Sequence, residues 1–128
     1  LGCARRQETP MKLTDMTIPD GLPIDGYGPG FFRIAGEIHE GGALVAEGKL
    51  LPWKGPGDEA PLMALEGRVD ILLIGTGESL TPLPNRLQAR LEAAGLGVEL
   101  MSSPSAARSY NVLLAEGRRV AVALVPVP

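Results

Sequence analysis

The sequence predicts an α/β domain in three layers: a central mixed sheet with an N-terminal β-meander followed by a β-α-β-α-β unit. Three observations carry this. The run from Val69 to Ile74 is almost entirely branched and apolar and ends at Gly75-Thr76-Gly77, as expected of a strand buried on both faces. Two segments with helical apolar spacing follow, each succeeded by another short apolar run. The first half of the chain instead alternates short apolar stretches with glycine and proline turns.

Within the second half, Thr81 or the residues just after it should open a helix, with Pro82 and Pro84 in its first turn. Leu83, Leu87 and Leu91 line one face, and Gly95 closes it. Gly97 to Met101 is the next strand. Ser102 to Ser105 supply cap candidates and a first-turn proline for a second helix. Its apolar face is Ala106, Tyr110, Leu113 and Leu114, and Gly117 ends it. Val120 to Val125 is the last strand. Crossovers of this length favour parallel strands.

Residues 1–10 read as a flexible tail and residues 11–128 as one domain, with Leu1 and Met11 as the alternative natural starts. Leu1-Gly2-Cys3 ends as a lipoprotein processing site ends, but no apolar segment stands before it, and lipidation is not expected. Residues 11 to 30 read as a turn-rich loop through Asp20-Gly21, Asp25-Gly26 and Pro29-Gly30, anchored by Ile18, Ile24 and Tyr27. Phe31 to Ala35, Ala43 to Ala46 and Leu50 to Trp53 read as the meander. Residues 60 to 67 read as one or two helical turns, with Asp58 as the cap.

Composition narrows the function classes. The 128 residues carry a net charge of −3 and form no basic patch interleaved with aromatics, so nucleic acid is not an expected partner. No apolar run reaches the ~18 residues needed for a membrane span. One cysteine allows no internal disulfide.

No catalytic set is present. His39 is the sole histidine, so no zinc set forms around it, and it reads as a strand-end surface residue. Cys3 sits in the tail, Ser79 lacks the GxSxG frame, and Asp20, Asp25, Asp58 and Asp70 are scattered. Trp53 reads as buried at the core edge. No cofactor and no metal are expected.

Gly75, Thr76, Gly77 and Ser79 together with Ser103, Ser105, Arg108 and Asn111 nevertheless form a candidate ligand-binding edge. Strand ends that precede helices are where open α/β sheets bind ligands, and helix N-termini favour anions. The same glycines also serve simply as a turn, since GxG alone is a weak signal. Arg108 can equally be solvated, with Asn111 bonded to nearby backbone and Tyr110 in the core.

Five stretches taken in order resemble one family: IDGYG at 24–28, GFFRI at 30–34, LLPW at 50–53, DILLIGTG at 70–77 and RSYNVLLAEGRRVAVALVP at 108–126. The family is a small α/β domain of unknown function whose eukaryotic branch is mitochondrial complex I (NADH:ubiquinone oxidoreductase) assembly factor three. The resemblance implies a three-layer fold on a mixed sheet and no agreed catalytic residues. It also implies a non-enzymatic interaction module whose partners are respiratory-complex or membrane-insertion proteins. The chain then reads as a bacterial member, cytoplasmic and peripheral to the inner membrane. The competing reading is a small-ligand protein, for an anion or a nucleotide-like molecule, with or without catalysis, at the 75–79 and 103–111 edge.

Overall fold

The computed structural model describes residues 22–128. The expected tail, the start at Met11, Cys3, the Ile18 anchor and the Asp20-Gly21 turn lie outside the described residues. Within them the chain forms β1 (Ile24–Gly28), β2 (Phe31–Ile34), β3 (Glu37–Glu40), β4 (Ala43–Ala46), β5 (Lys49–Pro52) and α1 (Ala60–Met63). Then follow β6 (Ile71–Gly75), α2 (Leu87–Ala93), β7 (Gly97–Met101), α3 (Ser103–Ala115) and β8 (Val120–Leu124).

The main sheet has five strands in the order β5-β4-β8-β6-β7. Strand β6 runs parallel to both β7 and β8, whereas β4 is antiparallel to β8 and to β5. Strands β1, β2 and β3 form a separate antiparallel sheet. The α/β fold with a mixed sheet and the β-α-β-α-β unit are therefore as read from the sequence. The meander, however, is divided between two sheets. Every residue of β4, Ala-Leu-Val-Ala, is buried, and a strand buried on both faces belongs inside a covered sheet. Strand β3, Glu-Ile-His-Glu, is mostly exposed and belongs at an edge. Gly42 separates the two: a Cβ there would overlap the Trp53 carbonyl. His39 closes the same corner by donating from Nε2 to the Gly42 carbonyl at 2.9 Å.

The two faces of the main sheet carry different layers. Leu72, Ile74, Val98, Ala121 and Ala123 face Leu62 of α1 and Leu87 and Leu91 of α2. Leu73, Val120, Val122 and Leu124 face Ala106, Ala107 and Tyr110 of α3 and Ile24, Phe32 and Ile34 of the small sheet. Alternation along β6 and β8 thus feeds two cores, and Trp53 is buried in the first.

Three local expectations need correction. The stretch before Gly30 is not all loop, because Ile24–Gly28 is a strand paired with β2. Its two glycines hide the strand signal, and a register shift between Ile24 and Gly26 breaks the alternation. Helix α2 begins at Leu87 and not near Thr81. A residue that precedes proline is pushed out of the helical region, which applies to both Thr81 and Leu83. Asn85 and Arg86 then adopt left-handed backbone, each with φ of 56°. Leu83 still packs on the first core from this loop. Finally, α1 is capped at Glu59 with no side-chain bond. The Asp58 carboxylate accepts instead from the Lys54 amide, and its carbonyl accepts from Trp53 Nε1 at 3.0 Å.

Among the described residues no helix is long and apolar enough to cross a membrane.

Candidate functional site

The residues singled out at the 75–79 and 103–111 edge fall into three groups. The first is a closed knot. Gly75 ends β6, and its carbonyl accepts from the Val125 amide at 2.9 Å. The Thr76 amide donates to the Met101 carbonyl at 2.9 Å, while its hydroxyl donates to the Ser79 carbonyl at 2.7 Å and accepts from the Thr81 amide at 3.0 Å. Ser103 is fully buried. Its amide donates to the Gly77 carbonyl at 2.7 Å, and its hydroxyl accepts from the Gly77 amide at 2.9 Å and donates to the Val125 carbonyl at 2.5 Å. The polar groups of the turn are thus directed at one another. Ser103→Ala should cost about 2 kcal/mol in a urea titration, because it strands the buried Gly77 amide and the Val125 carbonyl.

Ser105 and Arg108 form the second group, at the start of α3. Ser102 is the N-cap, and its hydroxyl accepts from the Ser105 amide at 3.4 Å. The Ser105 hydroxyl lies 3.1 Å from that of Ser102 and accepts from Arg108 Nη2 at 3.4 Å. Two amides of the first turn, those of Ser103 and Ser105, therefore already have acceptors.

Asn111 stands apart from both. Its Oδ1 accepts from the Ile24 amide at 2.9 Å, and its Nδ2 donates to the Ile24 carbonyl at 2.6 Å. The side-chain amide pairs with Ile24 as a neighbouring strand would, so it ties β1 to α3. Tyr110 beside it is 1% exposed and accepts from the Leu22 amide. Burial pushes its phenol up to about 12, and the Leu22 bond offsets this only in part. The folded value lies above the unfolded one near 10. The contribution to stability is therefore full below pH 10 and is lost as pH rises through 12. Between those limits the native protein should lose about 2 to 3 kcal/mol that Tyr110→Phe does not lose, as read from urea midpoints.

What sequence reasoning missed lies on the other flank of α3. The helix covers β6 and β8 and leaves β7, the edge strand, partly bare. An open groove of about 670 Å³ results. Ile71 and Leu73 form its floor, Gly97, Glu99 and Met101 of β7 one wall, and Arg108, Ser109, Val112 and Leu113 of α3 the other. Val112 is 56% exposed at its lip. The groove is mainly apolar, with one carboxylate and one guanidinium on facing walls and no ion pair between them. Of the residues singled out from sequence only Arg108 lies here. The remaining signal was Val112, an apolar residue off the apolar face of α3, and its meaning depends on which strand is at the sheet edge.

Comparison with known proteins places this geometry. A family model described as a protein of unknown function, DUF498/DUF598, matches residues 24–125, nearly all of the described chain. The chain belongs to the DUF498/DUF598 family. Within the range of DUF498/DUF598 relatives, it is 59% identical over 107 residues to an uncharacterised protein of Rhodobacter capsulatus, covering 84% of this chain and 86% of that one. It is 26% identical to NADH dehydrogenase [ubiquinone] 1 alpha subcomplex assembly factor 3 of mouse, covering 95% of this chain and 70% of that protein. Among solved structures, a protein of Bartonella henselae described as an outer membrane protein superposes with a TM-score of 0.76 at 35% identity, over 86% of this chain and 98% of that one. The family resemblance read from the five sequence stretches is thereby shown, and with it the relation to complex I assembly factors.

Proposed function

We propose that this DUF498/DUF598 domain is a non-enzymatic interaction module that helps assemble a respiratory complex by binding its protein components. The observation that carries the reading is the relation to assembly factor 3 over 95% of the chain. Two features of the fold support it. The polar groups of the glycine turn are bonded to one another, and a mainly apolar groove opens beside a sheet edge. Such a surface suits a polypeptide better than a small polar substrate. We place the module in a bacterial cytoplasm, in peripheral contact with the inner membrane where such complexes are built. Membrane-insertion proteins are its other candidate partners.

The test is affinity capture of the tagged full chain from gently solubilised membranes, combined with deletion of its gene. Enrichment of NADH dehydrogenase subunits and a lower yield of the assembled complex on native gels are the expected results. Normal assembly in the deletion strain, with no respiratory subunit enriched, would overturn the proposal.

A second reading is favoured by one observation, the exposed Arg108 guanidinium beside the Ser105 hydroxyl at the start of α3. It has an anion or nucleotide-like ligand at Gly75, Thr76, Gly77, Ser79, Ser103, Ser105, Arg108 and Asn111. A thermal-shift panel of nucleotides and phosphorylated metabolites tests it. A ligand present at 100 times its dissociation constant should stabilise by about 2.7 kcal/mol, and a flat panel counts against the ligands tried.

A further inference from the structure

The geometry points to the occupant of the groove: an extended segment of a partner protein that adds to the β7 edge, with a basic side chain between two apolar ones. This rests on the interaction-module reading and deepens it by naming the surface and the chemistry recognised.

The argument begins at the sheet edge. Strand β7 is last in the order β5-β4-β8-β6-β7, and among the described residues it pairs only with β6. Its outer backbone donors and acceptors are a template for another strand. Side chains alternate along it. Val98 and Leu100 belong to the core beneath α2, while Gly97, Glu99 and Met101 face the groove. A strand laid along β7 would set every second side chain opposite Gly97, Glu99 and Met101, on the face of the sheet that α3 and Val112 flank.

Each of these positions selects a residue type. Gly97 contributes no side chain, so the position opposite it has room for a large apolar group. Ile71, the β6 neighbour of Gly97, adds apolar floor at that end, and Met101 favours a second apolar group at the other. Between them Glu99 projects from an exposed position with no ion pair to Arg108. A lysine or arginine opposite Glu99 completes a cross-strand pair, whereas an acidic residue there is repelled.

The same carboxylate discriminates between occupants. Two copies of this chain joined antiparallel about the centre of β7 would bring Glu99 against Glu99, because it is the middle residue of Gly97–Met101. Like charges directly opposite destabilise a strand pair. Charge complementarity therefore favours a partner segment of opposite sign over a second copy.

The experiment uses the isotopically labelled full chain and three capped peptides, followed by amide chemical shifts and by titration calorimetry. The first peptide is Ser-Phe-Thr-Lys-Thr-Leu-Ser. In the second Glu replaces Lys, and in the third the order of the first is scrambled. The expected result is that the Lys peptide shifts the amides of Gly97 to Met101 and of Val112, and binds about tenfold more tightly than the Glu peptide. E99K should reverse that preference, and V112D should weaken both peptides; each changes an exposed side chain and leaves the cores intact. Shifts located elsewhere, or equal affinity for all three peptides, would overturn the inference. So would contacts from residues 1–21 of the free chain to Met101 and Val112, or a dimer whose contacts run through β7. Its failure is separable from that of the broader proposal. If E99K and V112D still capture respiratory subunits at full yield, the groove assignment fails and the interaction module stands.

Discussion

A Gly75→Val variant should lose about 4 kcal/mol of stability, a large share of the ~5 to 15 kcal/mol that a domain has in total. The cause is space and not backbone strain, since Gly75 is absent from the residues with positive φ. A Cβ at this position would lie 2.7 Å from Ser103 Cα, 2.9 Å from Ser103 Oγ and 2.9 Å from Leu124 Cδ2. Leu124 is fully buried in the second core and has nowhere to turn. Ser103 cannot retreat either, because its amide and hydroxyl are bonded to Gly77 and Val125. Shifting it moves the first turn of α3 off the end of β6. Gly57→Ala is the control, as no atom lies within 4 Å of a Cβ there and its φ is not positive. Thermal unfolding followed by circular dichroism should show a fall of roughly 15 °C or more for Gly75→Val and almost none for Gly57→Ala. A fall of only a few degrees for the first would mean that the knot between β6 and α3 yields more readily than its hydrogen bonds indicate.

Asn111→Ala should cost about 3 to 4 kcal/mol, and the loss should begin locally. The substitution removes both bonds to Ile24, and the Ile24 side chain is only 4% exposed, so water replaces those bonds poorly. Asn111→Asp should be little better. It keeps an acceptor for the Ile24 amide but sets a carboxylate oxygen against the Ile24 carbonyl, where Nδ2 had donated. Hydrogen exchange is the measurement. Amides of β1 should lose protection well before those of β6 and β8, because among the described residues β2 is the one strand that pairs with β1. Uniform loss across both sheets would show that Asn111 serves the whole domain and not the attachment of one strand.

These two residues mark the limit of what local sequence discloses. Asn111 read either as part of a ligand edge or as bonded to nearby backbone, but nothing in the sequence identified Ile24, 87 positions away, as its partner. Gly75 read as a turn former; its requirement is close approach to a helix that begins 28 residues later. The candidate edge had the same history. Its residues do converge, but most of their polar groups are engaged within the fold, and that depends on atoms brought together from four separate segments.

By itself the sequence determined the α/β class, the β6, β7 and β8 strands, helix α3 with its serine cap, and membership of the family. These rest on signals carried within a few residues: apolar runs, helical periodicity and glycine stops. Tertiary structure alone decided that β1 exists, that the meander divides between two sheets, and that β7 lies at an edge beside a groove. The physical reason is common to all three. A glycine-poised or polar strand forms only where another strand supplies its hydrogen bonds. Likewise, a surface becomes a groove only when the order of strands leaves one of them uncovered by the helix above.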